Sequence, residues 1–127
     1  MAKAKKVQGN YVDGFVLVIP KRNIAAYKKL AQLAGKIWME YGAVSYSECA
    51  GDDVNIKFGV PFPKLAKAKK GDVVFFSFIT YKSKAQRDKI NAKVMKDPRL
   101  AACMDMNKMP FDMKRMSMGG FKAIVNY

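Results

Sequence analysis

Two ten-residue segments rich in β-branched and aromatic side chains constrain the fold of this chain most strongly. The first, YVDGFVLVIP, spans residues 11–20, and the second, DVVFFSFITY, spans residues 72–81. Because such residues favour extended backbone, both segments are predicted to be strands. Their centres are apolar at consecutive positions, which is typical of a strand covered on both faces. The fold must therefore cover both sides of a sheet.

A helix is predicted after each of these strands. Apolar residues recur at helical spacing over residues 24–41, with Asn23 as a candidate N-cap and Gly42 in the position of a left-handed cap. Ser83 and Gln86 form a capping-box pattern for the second helix. This helix is predicted to end or kink at Asp97-Pro98, because proline disfavours helical geometry at the residue before it.

Two shorter strands complete the predicted element order, at residues 43–49 and 119–125. Residues 51–71 are expected to run over the surface, and residues 99–104 to form a short turn before a methionine-rich connection. The order strand, helix, strand, strand, helix, strand predicts an α+β, ferredoxin-like βαββαβ domain. Its four-stranded antiparallel sheet would carry both helices on one face. The bare face then predicts a homodimer by sheet-to-sheet packing.

The length and composition predict one domain in the cytoplasm. Residues 1–10 are expected to be a flexible basic tail, and residues 11–127 a single domain. The apolar runs fall short of the ~20 residues of a membrane span, and the start lacks the apolar stretch of a signal peptide. Two cysteines without such a segment favour free thiols in a reducing compartment.

The absence of histidine and the excess of lysine limit the functions open to the chain. With no histidine, Ser-His and Cys-His catalysis and His-containing zinc sites are excluded. The formal net charge is +14, but lysines carry most of it and are scattered along the chain. Bidentate recognition of phosphate favours arginine. A solvated basic surface is therefore the favoured interpretation, and non-specific nucleic-acid binding the less favoured one.

Three polar residues point to a site between the sheet and the helices. Asp13 interrupts an apolar strand, and a buried carboxylate needs a partner. Arg87 and Asn91 lie one helical turn apart beside the inward stripe of the second helix. These three residues form either a ligand site or a structural ion pair, and replacing Arg87 by leucine separates the two interpretations.

Further candidates have ordinary structural explanations beside functional ones. Cys49 is a reactive thiol or a small packed side chain. Asp52-Asp53 is a turn or a weak cation site. The methionines of the connection would bind Cu(I) or fill irregular gaps under a loop. They are Met104, Met106, Met109, Met113, Met116 and Met118, with Cys103 beside them.

Several ordered motifs resemble the YbaA-like family of bacterial proteins of unknown function. They are YVDGFV, ECAGDDV, SFITYKSKAQRDKINAKVMKDPR and MPFDMKRMSMGGF. The resemblance implies a dimeric α+β barrel. The family has no established catalytic residue. The residues that match by pattern are Asp13, Cys49, Asp52, Asp53, Arg87, Asp88, Asn91, Asp112, Lys114 and Arg115. Ala50 departs from the family pattern, in which an aromatic residue is expected.

The sequence favours a small homodimeric binding module without cofactor or metal. Its ligand would be a small molecule bound in a pocket between the sheet and the helices. For an anionic ligand, Arg87, Lys114 and Arg115 would supply positive charge. An alternative is a cofactor-free oxygenase or isomerase on the same barrel, in which Asp13, Trp38 and Asn91 position a substrate; only fold analogy supports it. The candidate ligand-binding residues are Asp13, Trp38, Cys49, Arg87, Asn91, Asp112, Lys114 and Arg115.

Overall fold

The chain folds into a mixed α+β structure with a four-stranded antiparallel sheet. The computed structural model describes residues 8–105 and 108–127. The strands are β1 (Tyr11–Pro20), β2 (Ser45–Ala50), β3 (Asp72–Tyr81) and β4 (Ser117–Lys122). The helices are α1 (Ile24–Glu40), α2 (Phe62–Leu65), α3 (Lys84–Met95) and α4 (Pro98–Cys103), with short 3-10 turns at Lys21–Asn23 and Met113–Arg115. Most of the basic tail predicted for residues 1–10 lies outside the described residues.

The two long central strands form the middle of the sheet. The strand order is β2-β3-β1-β4, and every neighbouring pair is antiparallel. β1 pairs with β3 along its whole length, from Tyr11 opposite Tyr81 to Pro20 opposite Asp72. β2 and β4 are therefore the edges of the sheet.

The core lies between one face of this sheet and the helices. Alternate side chains of β1 and β3 point to this face, because successive residues of a strand face opposite ways. Ile79 and Tyr81 pack with Ile37 of α1 and with Ile90 and Val94 of α3. A second cluster joins Leu17, Ile19 and Phe75 to Tyr27 and Ala31 of α1. Both long helices thus cover the same side of the sheet.

The helix ends show how local sequence sets the element boundaries. The side chain of Ser83 accepts a hydrogen bond from the backbone N–H of Gln86 at 3.2 Å, so the predicted N-cap of α3 is confirmed. Gly42 follows α1 with a φ of 112°, in the region that glycine tolerates best. Asn23 precedes α1 but does not cap it through its side chain. Its amide nitrogen instead donates to the carbonyl oxygen of Pro110 at 3.0 Å.

The predictions for two strands and one turn differ from the structure. The second strand covers Ser45–Ala50 rather than 43–49, and the last strand covers Ser117–Lys122 rather than 119–125. The turn predicted at 99–104 is wrong, because Pro98–Cys103 is helical. Asp97 accepts a hydrogen bond from the backbone N–H of Arg99, and Pro98 stands at the first helical position, where proline is favoured. Asp97-Pro98 therefore ends one helix and starts the next.

None of the helices in the described part of the chain combines the length and the hydropathy that a membrane crossing requires.

Candidate functional site

A cavity of about 160 Å³ lies between the sheet and the helices, where the sequence predicts a pocket. Its walls are mainly apolar, with Leu30 and Ala34 from α1, Ile79 from β3 and Leu100 from α4. For comparison, an engineered apolar cavity of about 150 Å³ in another protein binds benzene. The cavity therefore has the size and lining of a site for a small, largely apolar molecule.

Methionines of the connection between α4 and β4 form another wall of this cavity. Met104, Met109, Met113 and Met116 line it, together with Phe111. Met118 instead borders the opposite face of the sheet, and Cys103 is exposed. Met106 lies outside the described residues. The placement supports the gap-filling interpretation, because unbranched methionine side chains adapt to an irregular apolar wall.

A carboxylate stands in the wall of this cavity and accepts hydrogen bonds from three hydroxyl groups. Glu48 Oε1 accepts from Tyr27 Oη at 2.7 Å and from Ser77 Oγ, and Glu48 Oε2 accepts from Tyr46 Oη at 2.8 Å. Strand pairing places Glu48 opposite Ser77, and α1 brings Tyr27 over both residues. Glu48, Tyr27, Tyr46 and Ser77 thus form a polar cluster in an apolar surrounding.

The two tyrosine hydroxyls of this cluster stay protonated. Burial raises the pKa of Tyr27 above its ordinary value, and the negative charge of Glu48 raises it further. Burial and the same carboxylate raise the pKa of Tyr46. Both hydroxyls therefore act as neutral hydrogen-bond donors to Glu48 at neutral pH.

A second polar cluster contains the three residues that the sequence places together. Asp13 is buried, with 5% of its surface exposed. Arg87 Nε lies 3.8 Å from Asp13 Oδ1, and Asn91 Nδ2 donates to Asp13 Oδ2 at 3.4 Å. The Arg87 guanidinium also lies over the ring of Tyr11 at 5.0 Å and donates to its hydroxyl at 3.1 Å. The structure therefore brings Asp13, Arg87 and Asn91 together.

Trp38 connects this second cluster to the cavity. Its indole nitrogen donates to Asn91 Oδ1 at 3.0 Å and to Tyr81 Oη at 3.1 Å, while its side chain lines the cavity. Asp13, Arg87 and Asn91 are not among the described residues that line it. Their contacts are with one another and with Tyr11, Trp38, Tyr81 and Asp88. This geometry favours the structural ion pair over the ligand site.

The remaining predicted site residues lie apart from the cavity. Arg115 donates to Lys67 O at 2.7 Å and pairs with Asp72 at 3.2 Å, at the far end of β3 from Arg87. Lys114 is exposed, and the side chain of Asp112 accepts from its backbone N–H at 3.0 Å. Cys49 is exposed on β2. Arg87, Lys114 and Arg115 therefore do not form one anion site.

Further candidates that match by pattern also lie away from the cavity. Asp52 and Asp53 are exposed in the bend after β2. Asp88 is exposed on α3 and lies 3.3 Å from Arg87 Nε. Among residues 8–105 and 108–127, no three His, Cys, Asp or Glu residues are grouped so that they could hold a metal ion.

Sequence reasoning missed the Glu48 cluster, although β2 carries a signal for it. Tyr46 and Glu48 are two positions apart and so share one face of a strand. Ser77 is the one polar residue at the centre of a strand otherwise rich in apolar side chains. The pairing of β2 with β3, which places Glu48 opposite Ser77, is what brings these residues together, and the sequence pattern does not show it.

Comparison with known proteins places the chain in a family without an assigned activity. The family described as "Protein of unknown function (DUF1428)" matches residues 10–113. "Uncharacterized protein YbaA" of Escherichia coli strain K12 is 40% identical over 116 residues, covering 91% of this chain and 97% of that protein. The YbaA proteins of Escherichia coli O157:H7 and Shigella flexneri match equally.

The similarity to a solved structure is much weaker. A putative amidohydrolase/peptidase from Burkholderia cenocepacia is 11% identical with a TM-score of 0.32. The match covers 92% of this chain but only 27% of that one, so it carries no argument about fold or activity.

The long match to the family and the identity to its YbaA members are decisive: this chain belongs to the DUF1428 family of proteins of unknown function.

Proposed function

We propose that this protein binds a small, largely apolar molecule in the cavity between its sheet and its helices. The observation that carries the proposal is the cavity itself, about 160 Å³ in volume and lined by methionine, aromatic and aliphatic side chains around one polar cluster. Ligand pockets in proteins are typically apolar with a few placed polar groups. The enzyme alternative has less support, because Asp13 and Asn91 contact each other rather than the cavity.

We further propose that the domain is ferredoxin-like and forms a dimeric α+β barrel. The order β1, α1, β2, β3, α3, β4 and the strand order β2-β3-β1-β4 support this assignment. The sheet face opposite the helices supports the dimer. Phe76, Met118 and Phe121 are 46%, 64% and 63% exposed there.

A second copy of this chain is the partner that fits this bare face best. The described residues that border its groove carry no charge; they include Val12, Val16, Phe76, Phe78 and Phe121. Each chain has a formal net charge of +14, so two copies can approach closely only where basic side chains are absent. An isologous two-fold contact would bury the apolar groove of both copies.

Methyl NMR tests the cavity as the binding site. In protein labelled with ¹³C at the methionine methyl groups, toluene should shift the signals of Met104, Met109, Met113 and Met116, which line the cavity. Met39 and Met118 are exposed elsewhere and serve as internal controls. Saturable shifts confined to the cavity methionines are expected. Shifts of Met118 alone, or no saturable shift, would contradict the proposal.

A further inference from the structure

Glu48 is the only charged residue among the described residues that line the cavity. No lysine or arginine in residues 8–105 and 108–127 forms an ion pair with it, although the chain has 24 basic residues. Lys28 and Lys36 border a groove on the other side of Glu48, along α1, without pairing with the carboxylate. Glu48 therefore has no ion-pair partner among the described residues.

The hydrogen bonds to Glu48 leave one acceptor position open. A carboxylate has about four lone-pair positions, two on each oxygen. Tyr27 and Ser77 donate to Oε1, and Tyr46 donates to Oε2. All three donors are neutral hydroxyl groups, which orient the carboxylate without cancelling its charge. One lone pair of Oε2 therefore accepts from none of these donors.

Aromatic rings lie beside this carboxylate. Trp38 and Tyr46 line the cavity with ring centroids 6.2 Å apart, and the Tyr27 ring packs edge-to-face on Phe111 at 5.5 Å. The faces of such rings attract cations, and aromatic cages commonly recognise ammonium groups. The cavity therefore has both a carboxylate and aromatic rings in its wall.

We infer that the ligand of this cavity is a small organic ammonium ion. Its nitrogen would donate to Glu48 Oε2, and its apolar body would lie against the methionine wall. This inference rests on the proposed function, since it names the ligand class of the same cavity. It also replaces the anionic ligand that the sequence allows, because an anion there would face Glu48 without a lysine or arginine among the described lining residues.

Three matched probes test the charge preference of the wild-type protein by isothermal titration calorimetry. They are 2-phenylethylamine, 2-phenylethanol and phenylacetate, which share a benzyl group and differ in the charge of the terminal group. Because hydrogen bonds to charged groups are stronger than neutral ones, the amine should bind at least about tenfold more tightly than the alcohol. Phenylacetate should bind more weakly than either.

The variant Glu48→Gln removes the charge and keeps the shape of the side chain. Its affinity for 2-phenylethylamine should fall by about tenfold or more, while its affinity for 2-phenylethanol changes little. Glu40→Gln is the matched control, because it removes the same charge from a glutamate that pairs with Arg99 away from the cavity. It should leave the affinities for both probes unchanged.

The outcomes separate this inference from the proposed function. If the alcohol binds as tightly as the amine, or if phenylacetate binds best, the ammonium ligand is wrong while the apolar cavity site stands. If none of the three probes binds and toluene leaves the cavity methionines unshifted, both are wrong. The wild-type comparison decides the question even if Glu48→Gln does not fold.

Discussion

The polar side chains in the interior of this protein form two clusters with different roles. Glu48 faces the cavity and is held by hydroxyl groups, whereas Asp13 is buried against Arg87 and Asn91. Tyr81 has no exposed surface and lies in the second cluster; burial and the nearby Asp13 charge raise its pKa. We interpret the Asp13 cluster as a structural network that fixes α3 on the sheet, and the Glu48 cluster as the polar end of the binding site.

Replacing Arg87 by leucine tests the structural role of the Asp13 cluster. The variant leaves the buried Asp13 carboxylate with the long hydrogen bond from Asn91, so its free energy of unfolding should fall by about 2 kcal/mol. Toluene binding at the cavity should be unchanged. Urea denaturation and methyl NMR measure the two effects. Arg22→Leu, at an exposed arginine, is the control and should change stability by less than about 0.5 kcal/mol.

The opposite result would show that the Asp13 cluster belongs to the binding site. If Arg87→Leu abolishes toluene binding while stability stays within the range of Arg22→Leu, Asp13, Arg87 and Asn91 serve the ligand rather than the fold.

At the scale of elements, local sequence predicts the structure where one signal dominates. The strand Asp72–Tyr81 is found at the predicted residues, because β-branched and aromatic side chains dominate it and Ser83, the N-cap of the next helix, follows closely. The last strand is shifted, because pairing with β1 sets its limits: Ser117 lies opposite Val16, and Lys122 lies opposite Tyr11. Such long-range pairing is not visible in a local pattern.

The candidate site is harder to predict than the elements that carry it. Asp13 and Arg87 are found together because an acidic residue in an apolar strand demands a partner, which is a strong local signal. The Glu48 cluster draws on α1, β2 and β3, and each of its residues alone looks ordinary. The pairing of Arg115 with Asp72 likewise depends on the path of the connection before β4. These contacts follow from tertiary packing.

At the scale of the whole molecule, the proposed dimer rests on the difference between the two faces of the sheet. The helices protect the face that contains the cavity, while Phe62 of α2 packs on Phe76 at the other face with ring centroids 6.2 Å apart. Met118 and Phe121 remain exposed beside Phe76, at 64% and 63% of their surface. Exposed apolar surface of this kind commonly marks an interface.

Light scattering after size-exclusion chromatography tests the dimer. The wild-type protein should elute as a dimer at micromolar concentration, and Phe76→Lys should be monomeric, because the two-fold contact would bring the new charge of each copy into the apolar groove. Met39→Lys changes an exposed methionine on α1 in the same way and should remain dimeric. A wild-type protein that is monomeric and well folded would show that this face is not paired.

The location of a bound probe in a crystal tests the sheet–helix cavity most directly. Crystals soaked in bromobenzene, measured at the bromine absorption edge, report the bromine position as a peak in the anomalous difference map. We predict an anomalous peak inside the cavity, among Trp38, Met109 and Met113. A peak only at the bare face beside Phe76, or a cavity that stays empty while the probe binds elsewhere, would contradict the account.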